Sequence, residues 1–286
     1  MTGFGAITTV VFDADETLVD LRPAVDGALV AVLDEMRRLT PAAAEVSATN
    51  LESDWELVFP AMRAEPVTEI RRAALRRSLA RAGLESELDR IAELFFARRF
   101  ELSRPFDDVL PALAALRPSY AVGLASNGNS HADRCGLRGE FAFEVYAHVG
   151  GLPKKPAPEF FAAVVAAAGT DPGSVVHVGD SWEHDVVAAR RAGMRAVWLN
   201  RSRRPRPAGD APDAEIRSLA ELPKLLCGCR PFDLMLTEPS TRGNHGEQTP
   251  YGGLRRYRDS VGPRGHSADR PVERGPGEHD RLHGGG

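Results

Sequence analysis

The sequence predicts an α/β protein: a doubly wound parallel sheet interrupted, after its first strand, by an all-helical insert. Three observations predict it. The apolar run Thr9-Val10-Val11-Phe12 ends abruptly in Asp13 and Asp15, as a buried parallel strand ends at a polar crevice. From Pro23 to about Arg104 strand signals vanish and apolar residues recur at helical spacing. Beyond Pro105, helical and β-rich stretches alternate, the pattern of a parallel sheet covered on both faces.

In chain order, the first strand is read as Ile7 to Phe12. Side chains two apart on an extended segment leave on the same face, so Asp13 and Asp15 share one pocket, an arrangement suited to a cation, to acid/base work, or to both. In the insert, Val25, Leu29, Val32, Leu33 and Met36 mark the first helix, and Leu88, Ile91, Leu94 and Phe95 the last. Arg71, Arg72, Arg76, Arg77 and Arg81 read as a solvated helix face, and Trp55, Phe59 and Met62 as a core stripe. After Pro105 the reading is helix Val109–Leu116, strand Tyr120–Ala125, helix Ser130–Leu137, short strand Phe143–His148 and helix Pro158–Ala168. Strand Val175–Val178, helix Glu183–Ala192 and strand Arg195–Leu199 follow.

Polar groups gather where these strands end. Tyr120–Ala125 stops at Ser126, Asn127 and Gly128, and Val175–Val178 stops at Gly179, Asp180 and Ser181, with Asp185 one turn later. Ligands collect at the carboxyl ends of strands in such sheets. Lys154 and Lys155 precede the helix at Pro158 and can bring an ammonium to the acids. His131, His177 and His184 read as structural histidines, and Trp182 as packing.

The bulk composition narrows the function classes. A chain of 286 residues, 43% hydrophobic, can bury the core of one large domain or two modest ones. Lys plus Arg total 36 against 40 Asp plus Glu, a net charge of -4, so charge gives no reason to expect nucleic acid or an anionic membrane as partner. A small molecule is the expected ligand; nothing indicates an oligomeric state. The N-terminal stretch lacks a basic region followed by a long apolar one, and no apolar run approaches the roughly 18 residues of a membrane span, so a cytoplasmic protein is expected. Cys135, Cys227 and Cys229 are expected to be free thiols. From Cys227 onward periodicity disappears in favour of Gly, Pro, Arg and His, and disorder is expected beyond about Pro231.

Taken together, DADET at Asp13–Thr17, Ser126 at the second strand end, Lys155 in KPAPEFF and GDSWEHD at Gly179–Asp185 resemble, in order, the motifs of the haloacid dehalogenase-like hydrolase superfamily over residues 7–226. The resemblance implies a Rossmann-like core at 1–20 and 105–226, a helical C1 cap at 21–104, and a tail at 227–286. It implies Asp13 as the nucleophile that forms an aspartyl phosphate and Asp15 as the acid/base. Lys155 would neutralise charge, and Ser126 and Asn127 would bind phosphate, with Thr17 assisting. Mg2+ would be held by Asp13, the Asp15 carbonyl and Asp180, with Asp185 in support.

The resemblance also sorts the reactions. Carbon–halogen cleavage in this family does without the second Asp, so Asp15 argues against it. The insert from Asp20 to Arg104 has no lysine, which weakens a phosphonate hydrolase that works through a Schiff base. A phosphatase acting on a small phosphorylated metabolite is therefore expected, with a phosphomutase or a non-catalytic binding protein of the same fold as alternatives. Glu16 departs from the family pattern, which most often has Gly there.

Overall fold

The structure, a computed structural model, describes residues 6–209 and 211–227; Cys229 and the segment expected to be disordered lie outside them. Six strands form one parallel sheet: β1 Thr9–Phe12, β2 Ala121–Ser126, β3 Phe143–Tyr146, β4 Val175–Gly179, β5 Arg195–Leu199 and β6 Ala214–Ile216, in the order β3-β2-β1-β4-β5-β6. The order reverses at β1, which pairs Val10 with Val122 on one side and with Val176 on the other. A crevice therefore opens beyond the carboxyl ends of β1 and its neighbours.

Alternation along the strands explains why both faces are buried. Val10, Phe12, Val176, Val178, Val197 and Leu199 enter one core, with helices α5 (Val109–Leu116) and α8 (Leu222–Cys227). Val11, Val175, Ala196 and Trp198 enter the other, with α6 (Pro158–Ala168) and α7 (Ala188–Arg191). Period-two strands with two apolar faces need helices on both sides, and the chain supplies them.

The insert contributes α1 Leu21–Leu39, α2 Ala48–Met62, α3 Val67–Ala80 and α4 Leu88–Leu102 around a separate apolar cluster that includes Val32, Met36, Leu75, Leu79 and Ile91. Its two connections to the sheet run side by side: Asp20 N–H donates to Arg104 O (3.0 Å) and Phe106 N–H to Leu18 O (3.0 Å).

Several local expectations change. The helix read at Ser130–Leu137 is only the turn Ala132–Arg134, because Gly136 and Gly139 just beyond it take left-handed backbone (φ 76° and 78°) and one turn is too short to propagate. The helix read at Glu183–Ala192 opens as a wide π-type turn, Trp182–Val187, before α7. The three-residue edge strand β6 carries too short a pattern to be read. Phe59 is 41% exposed and Trp55 half-buried, so they are not a core stripe; α2 instead buries Leu51 and Asp54.

The arginine-rich helix is not simply solvated either. Asp54 is fully buried and receives Ser78 Oγ (2.9 Å), Arg81 Nη2 (2.8 Å) and Arg77 Nε (3.4 Å). Burial pushes the Asp54 carboxyl up, but the Arg81 and Ser78 hydrogen bonds outweigh it and hold it below the usual carboxylate value. The guanidinium groups are half-exposed, so solvent screens the charge. Asp54→Ala is expected to lower stability by about 2 kcal/mol at pH 7, read as a lower urea midpoint. Because the folded pKa is depressed, this difference should shrink as pH falls below about 3.9. A variant as stable as the parent at pH 7 contradicts this.

Candidate active site

Four strand ends or helix starts bring their polar residues to the crevice. Asp13 directly follows β1, and its N–H donates to Val178 O of β4 (2.9 Å). It shares the strand face of Val11, which is the face covered by α6 and α7. Lys155, before α6, is buried there, and its Nζ donates to Asp13 Oδ1 (2.7 Å), Asp185 Oδ1 (2.6 Å) and Ala125 O (3.0 Å). Three donors meet three acceptors, so the ammonium is fully satisfied. Lys154 instead reaches Arg63 O at the surface (3.1 Å).

Asp185 enters the cluster because of the wide turn. Its other oxygen accepts from Ser181 N–H (3.0 Å), and Gly179 lies so close that any Cβ there would collide with the Asp185 side chain. His177, buried in β4, faces Asp185 Oδ1 through Nε2 (2.9 Å). Burial keeps His177 below its ordinary pKa, so its neutral tautomer with Nε2–H fits as the donor.

The charges can be ranked. Burial pushes Asp13 up, opposed by Lys155 and reinforced by Asp185 and Asp15. Asp185 is pushed up by burial too, but Lys155 and the His177 hydrogen bond outweigh it and hold the carboxyl low. Burial would lower Lys155; Asp13 and Asp185 outweigh it and raise its pKa above the ordinary value. Asp180 is pushed up to about 6 by burial and by Asp185, against Arg204, whose Nη2 reaches Asp180 Oδ2 (3.1 Å) and O (2.6 Å).

The remaining residues take supporting positions. Thr17, read as assisting phosphate binding, is fully buried, and its hydroxyl accepts from Asp180 N–H (3.1 Å), so it ties the first loop to the fourth. Arg201 secures the same loop through Thr17 O (2.9 Å) and Asp108 (2.9 Å). Ser126 Oγ accepts from Gly128 N–H (3.0 Å). The Asn127 side chain brackets Lys155, giving Nδ2–H to Lys155 O (2.9 Å) and taking Lys155 N–H (2.6 Å).

Asp15 faces residues that the sequence reading did not single out. Ser130 Oγ donates to Asp15 Oδ1, Arg99 Nη2 of α4 donates to Ser130 Oγ, and Arg99 lies 3.6 Å from Asp15 itself. The insert thus delivers a buried guanidinium to the first loop. A signal was present: Arg99 continues the buried stripe Leu88, Ile91, Ala92, Phe95 of α4, where an apolar residue belongs. Gly128 permits this crowding, since a Cβ there would strike the Asp15 carboxylate. Glu16 takes left-handed backbone (φ 61°), a conformation that glycine adopts at little cost, and its carboxylate accepts Arg22 N–H at the start of α1 (3.2 Å).

A cation fits this donor set. Asp13, Asp180 and Asp185 each offer a carboxylate oxygen within 4.8 Å of the others. Hard oxygen donors suit Mg2+.

Fold and site together define an α/β protein whose charged groups meet in one crevice at the point where strand order reverses. The family model described as haloacid dehalogenase-like hydrolase matches residues 7–193, and the chain belongs to that family. Similar proteins include pyrimidine 5'-nucleotidase YjjG of Escherichia coli, 32% identical over 50% of this chain and 66% of its own length. Phosphoserine phosphatase of Thermus thermophilus is 33% identical over 53% of this chain and 63% of its own. The matched region spans just under two thirds of these two relatives. Among solved structures, a 2-haloacid dehalogenase from Pseudomonas syringae superposes with a TM-score of 0.66 at 33% identity, over 78% of this chain and 99% of that one. Among the described residues no helix is long and apolar enough to cross a membrane.

Removing Lys155 while keeping its bulk leaves Asp13 and Asp185 buried without their shared cation. In metal-free buffer, Lys155→Met is expected to lower stability by about 3 kcal/mol, measured by urea denaturation. An unchanged midpoint would show that the ammonium does not balance these acids.

Proposed function

We infer that the protein is a Mg2+-dependent phosphatase that hydrolyses a small phosphorylated metabolite through an aspartyl-phosphate intermediate. The observation that carries this reading is the second carboxylate, Asp15, held by Ser130 beside the buried Asp13–Lys155 pair. An alkoxide leaving group needs a proton, whereas a halide departs without one. The likeness to a dehalogenase therefore bears on the shared fold, and Asp15 on the choice of reaction. The names of two relatives, a nucleotidase and a phosphatase, agree with that choice.

In this reading Lys155 holds Asp13 Oδ1, leaving the other oxygen to attack phosphorus. As the bond from Asp13 to phosphorus forms, the ester oxygen leaves and takes a proton from Asp15. A water then attacks phosphorus, gives its proton to Asp15, and releases Asp13. Ser126, whose oxygen accepts Gly128 N–H, keeps its hydroxyl proton to give to a phosphoryl oxygen, and Asn127 contributes its N–H. Thr17 holds the Asp180 loop in place. Asp13, the Asp15 carbonyl, Asp180 and Asp185 would hold Mg2+, which when bound supplies a hard positive charge to offset that of the phosphoryl oxygens.

Hydrolysis of p-nitrophenyl phosphate is expected with Mg2+, and its loss on chelation and in Asp13→Asn. Asp15→Asn is expected to lower kcat by about 10²- to 10⁴-fold. Release of chloride from 2-chloropropionate without any phosphate release from a panel of esters would overturn the reading.

A further inference from the structure

Two buried arginines of the insert are incompletely partnered: Arg71 pairs with no acid among the described residues, and Arg99 uses only one of its terminal nitrogens. Arg71 of α3 is 8% exposed, with its guanidinium carbon 4.1 Å from the Trp55 ring centre and 4.7 Å from that of Phe95. It makes no hydrogen bond or ion pair with any described residue. Arg99 is 3% exposed; Nη2 serves Ser130 and Asp15, while Nη1 is buried with no partner among the described residues. Burial and the nearby Arg99 charge lower Arg71 to about 10. A buried cation without a counter-charge is costly; Arg71 is such a cation, and the Arg99 whose charge it feels reaches Asp15.

Arg71 lines an open cavity of about 250 Å³ between the first loop and the insert, with Glu16 and Trp55 also among its walls. We propose that Arg71, backed by Arg99, receives a carboxylate carried by the leaving group of the substrate, so that the substrate is a small phosphorylated carboxylic acid. The proposal rests on the phosphatase reading for the other half of that molecule.

Chemistry and size favour a carboxylate. A guanidinium presents paired donors that match a planar carboxylate. The cavity also has acidic walls: Arg22 engages Asp26 (3.0 Å) and Glu52 (2.9 Å), but Glu16 and Glu56 remain. Their charge opposes a second phosphate dianion more than a monoanion. A volume of about 250 Å³, just under the roughly 300 Å³ at which common ligand pockets begin, suits a small molecule.

The test uses the full chain as Asp13→Asn, which holds esters without turnover, titrated calorimetrically in Mg2+ with 3-phosphoglycerate and with glycerol 3-phosphate. These esters differ by a carboxylate against a hydroxymethyl group. The carboxylate ester is expected to bind about tenfold or more tightly. That preference should disappear when Arg71→Met is added, with the stem still packed on Trp55 and Phe95, and survive in part in Arg71→Lys, which also serves if the methionine variant does not fold. Equal affinities, binding of neither ester, or a preference unchanged by Arg71→Met would overturn the proposal. Turnover of p-nitrophenyl phosphate by the unmodified chain is scored separately. Its absence with the carboxylate preference intact would overturn the phosphatase reading and leave the arginine site standing.

Discussion

The structure depends on one buried ammonium. Lys155 sits between Asp13 and Asp185, and without it two carboxylates would occupy a crevice from which water is largely removed. Each neighbouring feature serves that contact. Asn127 fixes the Lys155 backbone, Gly179 lets Asp185 approach, and His177 gives Asp185 a further hydrogen bond. The result is a cluster in which Asp13, Asp180 and Asp185 bring carboxylate oxygens close enough to share a cation.

The insert is coupled to this cluster by charge rather than by apolar packing alone. Its own core is an apolar cluster distinct from the sheet's two. Arg99 then crosses to Ser130 and Asp15, while the paired connections at Asp20 and Phe106 fix where it arrives. A carboxylate whose surroundings come from two parts of the fold is sensitive to how those parts meet. Arg71 extends the same line of positive charge into the cavity beside Glu16.

Much of the sheet and of the acidic cluster was legible because parallel strands advertise themselves. Val10–Phe12, Ala121–Ala125 and Val175–Val178 are apolar runs that stop at polar residues, and the crevice of a doubly wound sheet lies where they stop. Asp13, Lys155, Asp180 and Asp185 meet there. Ser130–Leu137 was misread as a helix because the glycines beyond it govern the backbone more than its apolar spacing does. Phe59 was misread as core because a ring at helical spacing says nothing of which neighbour lies opposite.

The sequence by itself determined which residue types stand at each strand end and in what order, since local apolar patterning and turn residues fix where strands begin and stop. It also held the departure at Glu16, visible as a missing glycine. Only the tertiary structure decided the partners: Thr17 serving Asp180, Asn127 serving Lys155, and Arg99 reaching Asp15 across 84 positions of chain. An arginine on a helix reads the same whether solvent or a buried carboxylate lies beyond it. What separates the two is desolvation by segments remote in sequence, which exists only once the chain has folded.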